Sequence, residues 1–380
     1  MNYSHTALAQ IIDFIRGKDY SLIMDLLQEK LRLALSGAIL ITGHTGFKGT
    51  WLTLLLEKMG IPAIGYSLPP IQDSLYQRAN RLGAIPEIFA DIRDLNEVER
   101  FLATHKPSAI IHLAAQPLVL ESYKKPLDTF ETNVMGTANI LSAAFNISTI
   151  RAVVAATTDK VYRNDNLGKP FTETDPLSGK DPYSASKVGS EAAIAAWQNI
   201  SNLSGGPKVV SVRAGNVIGG GDWAENRIMP DLVRGFTSNQ PIQIRNPDST
   251  RPWQHVLDPL HGYLLTLQSL LEDVSIDSIN FGPSEKSLQV REVVNLSLAE
   301  WPTFPPELVT YEEKLSLVES KNLNLSSTKA KNTLGWKESW TQQEAVISTM
   351  RWWRRVYQDG FSAEKSCSFD IDHLYGKNRY

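Results

Sequence analysis

The chain has 380 residues, of which 42% are hydrophobic and 21% charged, a globular composition that excludes a mainly disordered protein. Its 38 basic and 41 acidic side chains leave a formal charge of −3, so the net charge predicts no nucleic-acid partner. A lone cysteine, Cys367, and the lack of a secretory signal or long apolar run predict a cytoplasmic protein without an internal disulfide, a metal site or a membrane partner.

Residues 1–36 are predicted to form a helical extension, because their apolar residues recur at helical spacing. From Gly37 onward, short apolar runs alternate with helical patterns, which is typical of βαβ units. The strands are predicted at 38–42, 62–66, 88–91, 108–113 and 151–156, with helices that include 95–104 and 128–144. This order predicts an α/β fold with a doubly wound parallel (Rossmann) sheet.

After residue 212 the pattern loosens, since three consecutive glycines at 219–221 and several prolines separate short segments. We expect a smaller C-terminal substrate-binding lobe made of residues 213–249 and 282–357. The sheet domain would comprise residues 37–212 and 250–281, and residues 358–380 are predicted to be a tail.

A glycine-rich loop follows the first predicted strand and leads into a helix. Gly43, Gly46 and Gly49 have the spacing that allows a tight turn, the approach of a pyrophosphate to the backbone, and close packing of helix on strand. Turns are rich in glycine for steric reasons alone, and the strand–turn–helix context is what favours phosphate binding. The sheet domain is therefore predicted to bind a dinucleotide.

The choice of dinucleotide depends on the end of the second strand. The acidic residue expected about 20 positions after the loop, which would bind the ribose hydroxyls, is missing, because that strand ends in Gly65-Tyr66-Ser67. No arginine stands there for a 2′-phosphate either. NAD is favoured as the cofactor, and NADP stays open.

Tyr183 and Lys187 lie four residues apart in a predicted helix, which places both side chains on one face. An ammonium beside a phenol lowers the pKa of the phenol, so Tyr183 could act as a base near neutral pH. The pattern Y-x-x-x-K is common on solvated helices. Its occurrence downstream of a dinucleotide loop favours a catalytic reading.

Thr158, Asp159 and Lys160 follow the fifth predicted strand. Ligands of open α/β sheets bind at the carboxyl ends of the strands, so these side chains are predicted to face the same crevice as Tyr183. An acid and a base at this edge would suit proton transfer. An Asp159–Lys160 ion pair that only orients water is the alternative.

Several stretches of the sequence carry a resemblance. The loop 43–49, residues 91–94 and the pair Tyr183 and Lys187 resemble the extended short-chain dehydrogenase/reductase family of nucleotide-sugar enzymes. The stretches 112–119, 213–223 and 251–256 resemble the CDP-glucose 4,6-dehydratases within that family. The similarity spans roughly residues 37–357 and leaves out the extension and the tail.

The resemblance implies a site. The implied catalytic residues are Thr158, Asp159, Lys160, Tyr183 and Lys187. The implied cofactor residues are Gly43, Thr45, Gly46, Phe47, Gly49, Ser67, Asp91, Ile92, Ala114, Tyr183 and Lys187. Gln116, Asn216, Arg227, Arg251 and Trp253 are the candidates for binding the nucleotide sugar. The family also implies a homodimer, built here by helices around 128–144 and 183–198.

The implied reaction is the removal of water from a nucleotide-diphospho-glucose, with CDP-glucose as the favoured substrate. Thymidine-nucleotide dehydratases carry a glutamate at the position of Lys160, so the lysine departs from that branch and is similar to the cytidine branch. An epimerase of the same fold needs no acid and base at C5 and C6 of the sugar, and Asp159-Lys160 argues against it. A non-catalytic NAD(P)-binding module is a third reading, which the pair Tyr183 and Lys187 disfavours.

Overall fold

The computed structural model of the protein describes residues 20–165, 168–312 and 323–376. Helix α1 (Tyr20–Ala34) belongs to the predicted N-terminal extension, whose first 19 residues lie outside the described ones. Met24, Leu27 and Leu31 of α1 are buried against the main apolar core. The described part of the extension is therefore an integral layer of the fold.

The predicted doubly wound sheet is confirmed. It has seven parallel strands in the order β11-β6-β5-β4-β1-β2-β3. The strands are β1 (Ile39–Thr42), β2 (Ala63–Ser67), β3 (Glu87–Phe89), β4 (Ala109–His112), β5 (Ala152–Ala156), β6 (Lys208–Ala214) and β11 (Ser278–Phe281). The strand order reverses between β1 and β4, and a crevice opens outside the carboxyl ends at such a point.

Helices cover both faces of this sheet. They are α2 (Phe47–Lys58), α3 (Leu75–Arg78), α4 (Leu95–His105), α5 (Val119–Lys124), α6 (Pro126–Phe130), α7 (Gly136–Phe145), α8 (Pro182–Ser204) and α10 (Leu257–Leu271), with a π-helical segment at Glu131–Met135. Successive residues of a strand point to opposite faces. Accordingly Ile39 and Ile41 of β1 join one apolar core, and Leu40 joins the other.

The remaining strands are short, and longer helices accompany them. They are the strands β7 (Val217–Ile218), β8 (Ile242–Arg245), β9 (Thr250–Arg251), β10 (Gln254–His255), β12 (Leu288–Gln289) and β13 (Val309–Glu312), and the helices α9 (Ile228–Ser238), α11 (Val290–Glu300), α12 (Thr328–Leu334), α13 (Gln342–Tyr357) and α14 (Ala363–Leu374). They form three two-stranded pairings, β10-β7, β12-β9 and β13-β8. One apolar core continues from Ile39 of the sheet to Phe236 and Trp336. The lobe boundaries at 213, 250 and 282 stay predictions.

The segment predicted as a tail contains helix α14, which packs on the body of the protein. Its Cys367, Ile371 and Leu374 are buried in the main core. Asp370 is also fully buried, with Oδ1 at 3.6 Å from Arg355 Nη1 and Oδ2 at 3.4 Å from His255 Nε2. The apolar spacing in 363–374 explains the packing, since one helical face suffices to bury these residues.

Replacing Asp370 by alanine is expected to lower the free energy of unfolding by about 3 kcal/mol, because it leaves the guanidinium of Arg355 buried without this carboxylate. Asp372→Ala is the matched control, since Asp372 lies on the same helix in a partly exposed pair with Lys58 and should cost less than about 1 kcal/mol. Urea denaturation measures both values. Equal losses in the two variants would contradict the structural role of Asp370.

Candidate active site

A cavity of about 1180 Å³ lies at the carboxyl ends of the sheet strands. Every residue predicted to bind the cofactor lines it, as do Thr158, Lys160, Asn216, Arg227, Arg251 and Trp253. Asp159 and Gln116 are the two predicted site residues that are missing from its wall as the structure describes it. The structure therefore brings most of the predicted residues to a single crevice.

The glycine loop has the geometry that its spacing predicts. Gly43 has a φ of +72°, and a Cβ there would lie 2.8 Å from the nitrogen of Ala114. A Cβ on Gly49 would lie 2.1 Å from the carbonyl oxygen of Gly43, so only glycine allows α2 to pack this close to the loop. Gly46 is the N-cap residue of α2, whose first backbone N–H groups open into the cavity.

Two hydroxyl groups and no carboxylate occupy the end of β2. Thr45 Oγ1 lies 2.8 Å from Ser67 Oγ and donates to the carbonyl of Leu68 at 3.0 Å. The nearby carboxylate of Glu87 is hydrogen-bonded to His44, with Glu87 Oε2 at 2.6 Å from His44 Nε2. A ribose at this position would therefore meet Ser67, as the sequence predicts.

These features fit a nicotinamide dinucleotide. The close backbone approach at Gly43 and Gly49 leaves a cradle that a side chain would fill. The N-terminus of α2 provides N–H groups and a positive dipole end for a pyrophosphate. Tyr183 and Lys187 line the same cavity beyond the loop, where the nicotinamide end of such a molecule would lie.

Tyr183 and Lys187 are both buried on α8. The helix begins at Pro182 after the N-cap Asp181, which accepts the N–H of Ser184 at 2.9 Å. Burial raises the pKa of Tyr183 to about 12, although a hydrogen bond with Thr158 acts in the opposite direction. The predicted lowering of this pKa by Lys187 is not found in the protein alone, where the charge that opposes burial is that of Arg227.

Lys187 has its own perturbed environment. Its ammonium donates to the carbonyl of Ala156, at the end of β5, over 3.1 Å. Burial lowers the pKa of Lys187 to about 8, and the charge of Glu191 opposes this shift. The amine still carries its proton at neutral pH, which is the form that stabilises a phenolate.

Asp159 and Lys160 differ in exposure, although their charged atoms lie 3.8 Å apart, as in the ion pair that the sequence analysis left open. They lie in a single 3-10 turn, Asp159–Val161, where successive side chains are about 120° apart. The side chain of Lys160 is 37% exposed and lines the cavity, whereas that of Asp159 is 1% exposed and lies behind the wall, beside Gly215. Asp159 is therefore absent from the cavity wall, and its predicted catalytic role stays a prediction.

The carboxylate of Asp159 nevertheless remains close to the site. Its Oδ1 accepts the hydroxyl of Thr158 at 3.0 Å and lies 3.8 Å from Lys160 Nζ. Its buried Oδ2 has no hydrogen-bond partner among the described residues. The hydroxyl of Thr158 thus connects the carboxylate of Asp159 with the phenol of Tyr183.

Four of the predicted substrate residues line the same cavity, namely Asn216, Arg227, Arg251 and Trp253. Arg227 precedes α9 and pairs with Asp222 at 3.0 Å, an attraction that raises the pKa of the guanidinium. Arg251 lies in β9, and Trp253 is buried beside it. Two guanidinium groups at one wall suit a diphosphate.

Gln116 serves the loop after β4 instead of the cavity. Its Nε2 donates to the hydroxyl of Thr129 and to the carbonyl of Leu118, and its Oε1 accepts the N–H of Leu118. Both ends of the amide are therefore used within the protein. Gln116 lies outside the cavity wall, and its predicted contact with the substrate stays a prediction.

Lys48 is a cavity residue that the sequence reasoning missed. Its ammonium lies 3.3 Å from the hydroxyl of Tyr263. Burial lowers the pKa of Lys48 to about 8, and the charges of Arg227 and Lys187 add to this effect. The sequence carries a signal for Lys48, because it lies between Gly46 and Gly49 of the predicted phosphate loop.

In the ranges 20–165, 168–312 and 323–376, no helix has the length and apolar character that a membrane crossing requires. The same residues contain no cluster of three or more histidine, cysteine, aspartate or glutamate side chains suited to a metal ion.

Comparisons with known proteins point to one group. A model of the family described as GDP-mannose 4,6 dehydratase matches residues 40–349. A CDP-glucose 4,6-dehydratase of Salmonella typhimurium is 39% identical over 323 residues, which are 83% of this chain and 89% of that protein. A UDP-glucose 4-epimerase of Halalkalibacterium halodurans is 26% identical over 346 residues, which are 86% of this chain and 98% of that protein.

Solved structures share the same fold. A dTDP-glucose 4,6-dehydratase from Streptomyces venezuelae, with NAD and TYD bound, matches with a TM-score of 0.73 at 22% identity. The match covers 86% of this chain and 99% of that one.

Proposed function

We propose a reaction and a substrate for this chain. The chain belongs to the GDP-mannose 4,6 dehydratase family, within the extended short-chain dehydrogenase/reductase enzymes. This membership confirms the family resemblance of the loop and of the pair Tyr183 and Lys187. The proposed reaction removes water from CDP-glucose and yields the 4-keto-6-deoxy sugar nucleotide. NAD is the proposed cofactor, in keeping with the NAD bound in a structure of the same fold.

The choice of dehydration over epimerisation depends on one observation. The chain is 39% identical to a CDP-glucose 4,6-dehydratase, against 26% to a UDP-glucose 4-epimerase matched over a similar length. The amine of Lys160 at the cavity wall agrees with it, since an epimerase has no proton to remove at C5. The epimerase alternative therefore has less support.

The first step would belong to Tyr183. A bound NAD would supply the acceptor for the C4 hydride and would later return that hydride to C6. Tyr183 takes the proton of the sugar 4-hydroxyl, and Thr158 holds the phenol oxygen by a hydrogen bond. Lys187 stabilises the phenolate, because its ammonium is positive at neutral pH.

The second step is the elimination of water. The 4-ketone makes the C5 hydrogen acidic, since its conjugate base is an enolate. We assign the removal of this proton to Lys160, which lines the cavity. Asp159 is the proposed acid. The proton that Tyr183 took from the 4-hydroxyl passes to it through the hydroxyl of Thr158, to which it is bonded at 3.0 Å, and the same hydroxyl delivers the proton to the departing 6-hydroxyl. Lys160 then returns a proton to C5 when C6 is reduced.

The substrate would be held at its diphosphate. Arg227 and Arg251 offer guanidinium groups at one wall, and Asp222 holds Arg227 in place at 3.0 Å. Asn216 and the buried Trp253 line the space beside them, where the nucleoside or the sugar would bind.

We also propose that the protein forms a homodimer through the region of α6, the π-helical segment and α8. Leu127 and Met135 are 70% and 55% exposed on this surface, and Phe130 is half exposed. Exposed apolar side chains along these two consecutive helical segments are typical of a face that another protein covers.

The test of the function is incubation of the protein and NAD with CDP-, dTDP-, UDP- and GDP-glucose, followed by mass spectrometry. We expect a product lighter by one water from CDP-glucose. With CDP-glucose deuterated at C4, we expect the label at C6 of the product. A product of unchanged mass, in which only the configuration at C4 differs, would support the epimerase. Loss of the label to solvent would refute the internal hydride return.

A further inference from the structure

Arg227 reaches the cavity from a loop, residues 219–227, that begins with three glycines. Its Nη1 lies 3.0 Å from Oδ2 of Asp222 in the same loop. The other carboxylate oxygen of Asp222 accepts the N–H of Ala224 at 3.2 Å. Asp222 is buried, whereas the side chain of Arg227 is 38% exposed. The position of the guanidinium therefore depends on where the loop holds Asp222.

The glycine half of this loop is fixed by close contacts of its backbone. Trp51 Nε1, on α2, donates to the carbonyl of Gly220 at 3.0 Å. A Cβ on Gly220 would lie 1.9 Å from the indole of Trp352 on α13, so the backbone lies directly against that ring. These contacts hold the loop before Asp222, and the part that follows it needs an anchor of its own.

Trp223 anchors the second half of the loop. The guanidinium carbon of Arg78 lies 5.3 Å from the centre of its ring, and that of Arg234 lies 5.0 Å from it. Arg234 also donates to the carbonyl oxygens of Trp223, at 3.3 Å, and of Ala224, at 3.2 Å. The ring of Trp353 packs on the indole, with the centres 5.1 Å apart. Because cations are attracted to an aromatic face, these contacts fix both the side chain and the main chain of Trp223.

Trp223 holds the loop without lining the space for a ligand. Arg227 lines the cavity, whereas Trp223 is missing from its wall as the structure describes it. The neighbours of the indole belong to three helices, with Arg78 on α3, Arg234 on α9 and Trp353 on α13. An effect of Trp223 on a bound ligand would therefore have to pass through the loop and its arginine.

We propose that Trp223 is a positioning residue for nucleotide-sugar binding, which anchors the loop 219–227 on two arginines and so aims Arg227 at the diphosphate of the substrate. The proposal rests on the proposed function for the identity of that ligand. Without the indole, Asp222 and Arg227 would keep their ion pair, but the pair would no longer be held in one position. Ordering a side chain at the moment of binding costs affinity, and the catalytic turn after β5 is not involved.

The variants are chosen to remove the anchor and to spare the cavity. Trp223→Leu removes the aromatic face and keeps an apolar side chain. Trp223→Phe keeps a face for the two guanidinium groups and should retain most of the affinity. Tyr357→Leu is the matched control, because the described ring contacts of Tyr357 are with Arg78 and Trp353 and not with the loop. Arg234→Gln removes one cation and the bonds to the two carbonyl groups, and it decides the claim where Trp223→Leu does not fold.

The experiment is calorimetric titration of each variant with CDP and, separately, with NAD. We expect the Kd for CDP to rise by about 10–100-fold in Arg227→Gln, the range for a hydrogen bond to a charged group, and by about tenfold in Trp223→Leu and in Arg234→Gln. Tyr357→Leu should match the parent protein, and the Kd for NAD should stay unchanged in all variants. An unchanged Kd for CDP in folded Trp223→Leu, or in Arg234→Gln where the first variant does not fold, would overturn the proposal.

A double variant separates positioning from a general effect on the fold. In the Arg227→Gln background, Trp223→Leu should cause no further loss of CDP affinity, because its effect acts through the guanidinium that is already gone. A further loss as large as in the parent background would mean that Trp223 acts on the fold and would overturn the proposal. In turnover, Trp223→Leu should raise KM and leave kcat unchanged, since it weakens the binding of ground state and transition state alike.

The outcomes distinguish this proposal from the proposed function. If the parent protein and Trp223→Leu bind CDP equally well, the function stands and Trp223 has no positioning role. If the parent binds UDP, dTDP or GDP and not CDP, the substrate is refuted, and the same comparison with that nucleotide decides the role of Trp223. If it binds none of the four, the proposed function and the role of Trp223 are both refuted.

Discussion

Replacing Tyr183 by phenylalanine is expected to lower turnover by about 10²–10⁴-fold, because the change removes the group assigned to general base catalysis. The substitution takes away one oxygen and leaves the ring, which is buried against the cavity wall. The fold and the affinity for NAD should therefore be nearly unchanged. Stopped-flow measurement of turnover, together with NAD binding by calorimetry, tests both statements.

The raised pKa of Tyr183 adds a second reason to expect a large loss of turnover. The phenol is neutral at pH 7 in the protein alone, since burial raises its pKa to about 12. Deprotonation at the moment of reaction then depends on Thr158 and Lys187, so phenylalanine has no substitute for the lost oxygen. We expect the rate of the parent protein to rise with pH until Lys187 loses its proton, near its pKa of about 8.

Tyr162→Phe is the matched control. Tyr162 is another buried tyrosine of the cavity, whose hydroxyl bonds Arg213 and Asn280 instead of Thr158. Its loss should cost stability and less than about tenfold in rate. Undiminished turnover in Tyr183→Phe, or equal losses in the two variants, would remove Tyr183 from the proposed mechanism.

The sheet and the glycine loop could be predicted because both depend on local signals. The apolar runs of β1, β4 and β5 are buried strands of a parallel sheet, which read as continuous hydrophobic segments. Gly43 and Gly49 are required by backbone contacts with residues close in the chain or on the next strand. Because ligands of open α/β sheets bind at the carboxyl ends of the strands, the location of the site follows from the predicted strands alone.

What could not be predicted depends on turn geometry and tertiary packing. The neighbours Asp159 and Lys160 were both expected to line the cavity, and in the 3-10 turn Lys160 lines it while Asp159 is buried 3.8 Å from the lysine amine. The role of Gln116 in its own loop depends on the approach of Thr129 from a separate helix. The docking of α14 through Asp370 likewise depends on Arg355 and His255, which are brought there by the fold.

Asp159→Asn is expected to slow the loss of water by about 10²–10⁴-fold and C4 oxidation by far less, if the carboxyl group is the acid for the 6-hydroxyl. In a single turnover, reduced nicotinamide should accumulate and persist, since oxidation proceeds and the step that consumes the hydride is blocked. Absorbance of the reduced cofactor measures this directly. The variant should fold, because an amide replaces a buried carboxylate whose Oδ2 has no partner among the described residues.

Lys160→Met provides the comparison, since it removes the proposed base while Asp159 stays in place. This variant should also accumulate reduced nicotinamide. In addition, it should lose the exchange of the C5 hydrogen with solvent deuterium, whereas Asp159→Asn should retain that exchange. The buried position of Asp159 requires its proton to pass through Thr158, so Thr158→Val should resemble Asp159→Asn in the elimination step. Equal slowing of oxidation and elimination in Asp159→Asn would instead mean that the carboxylate only orients Thr158 toward Tyr183.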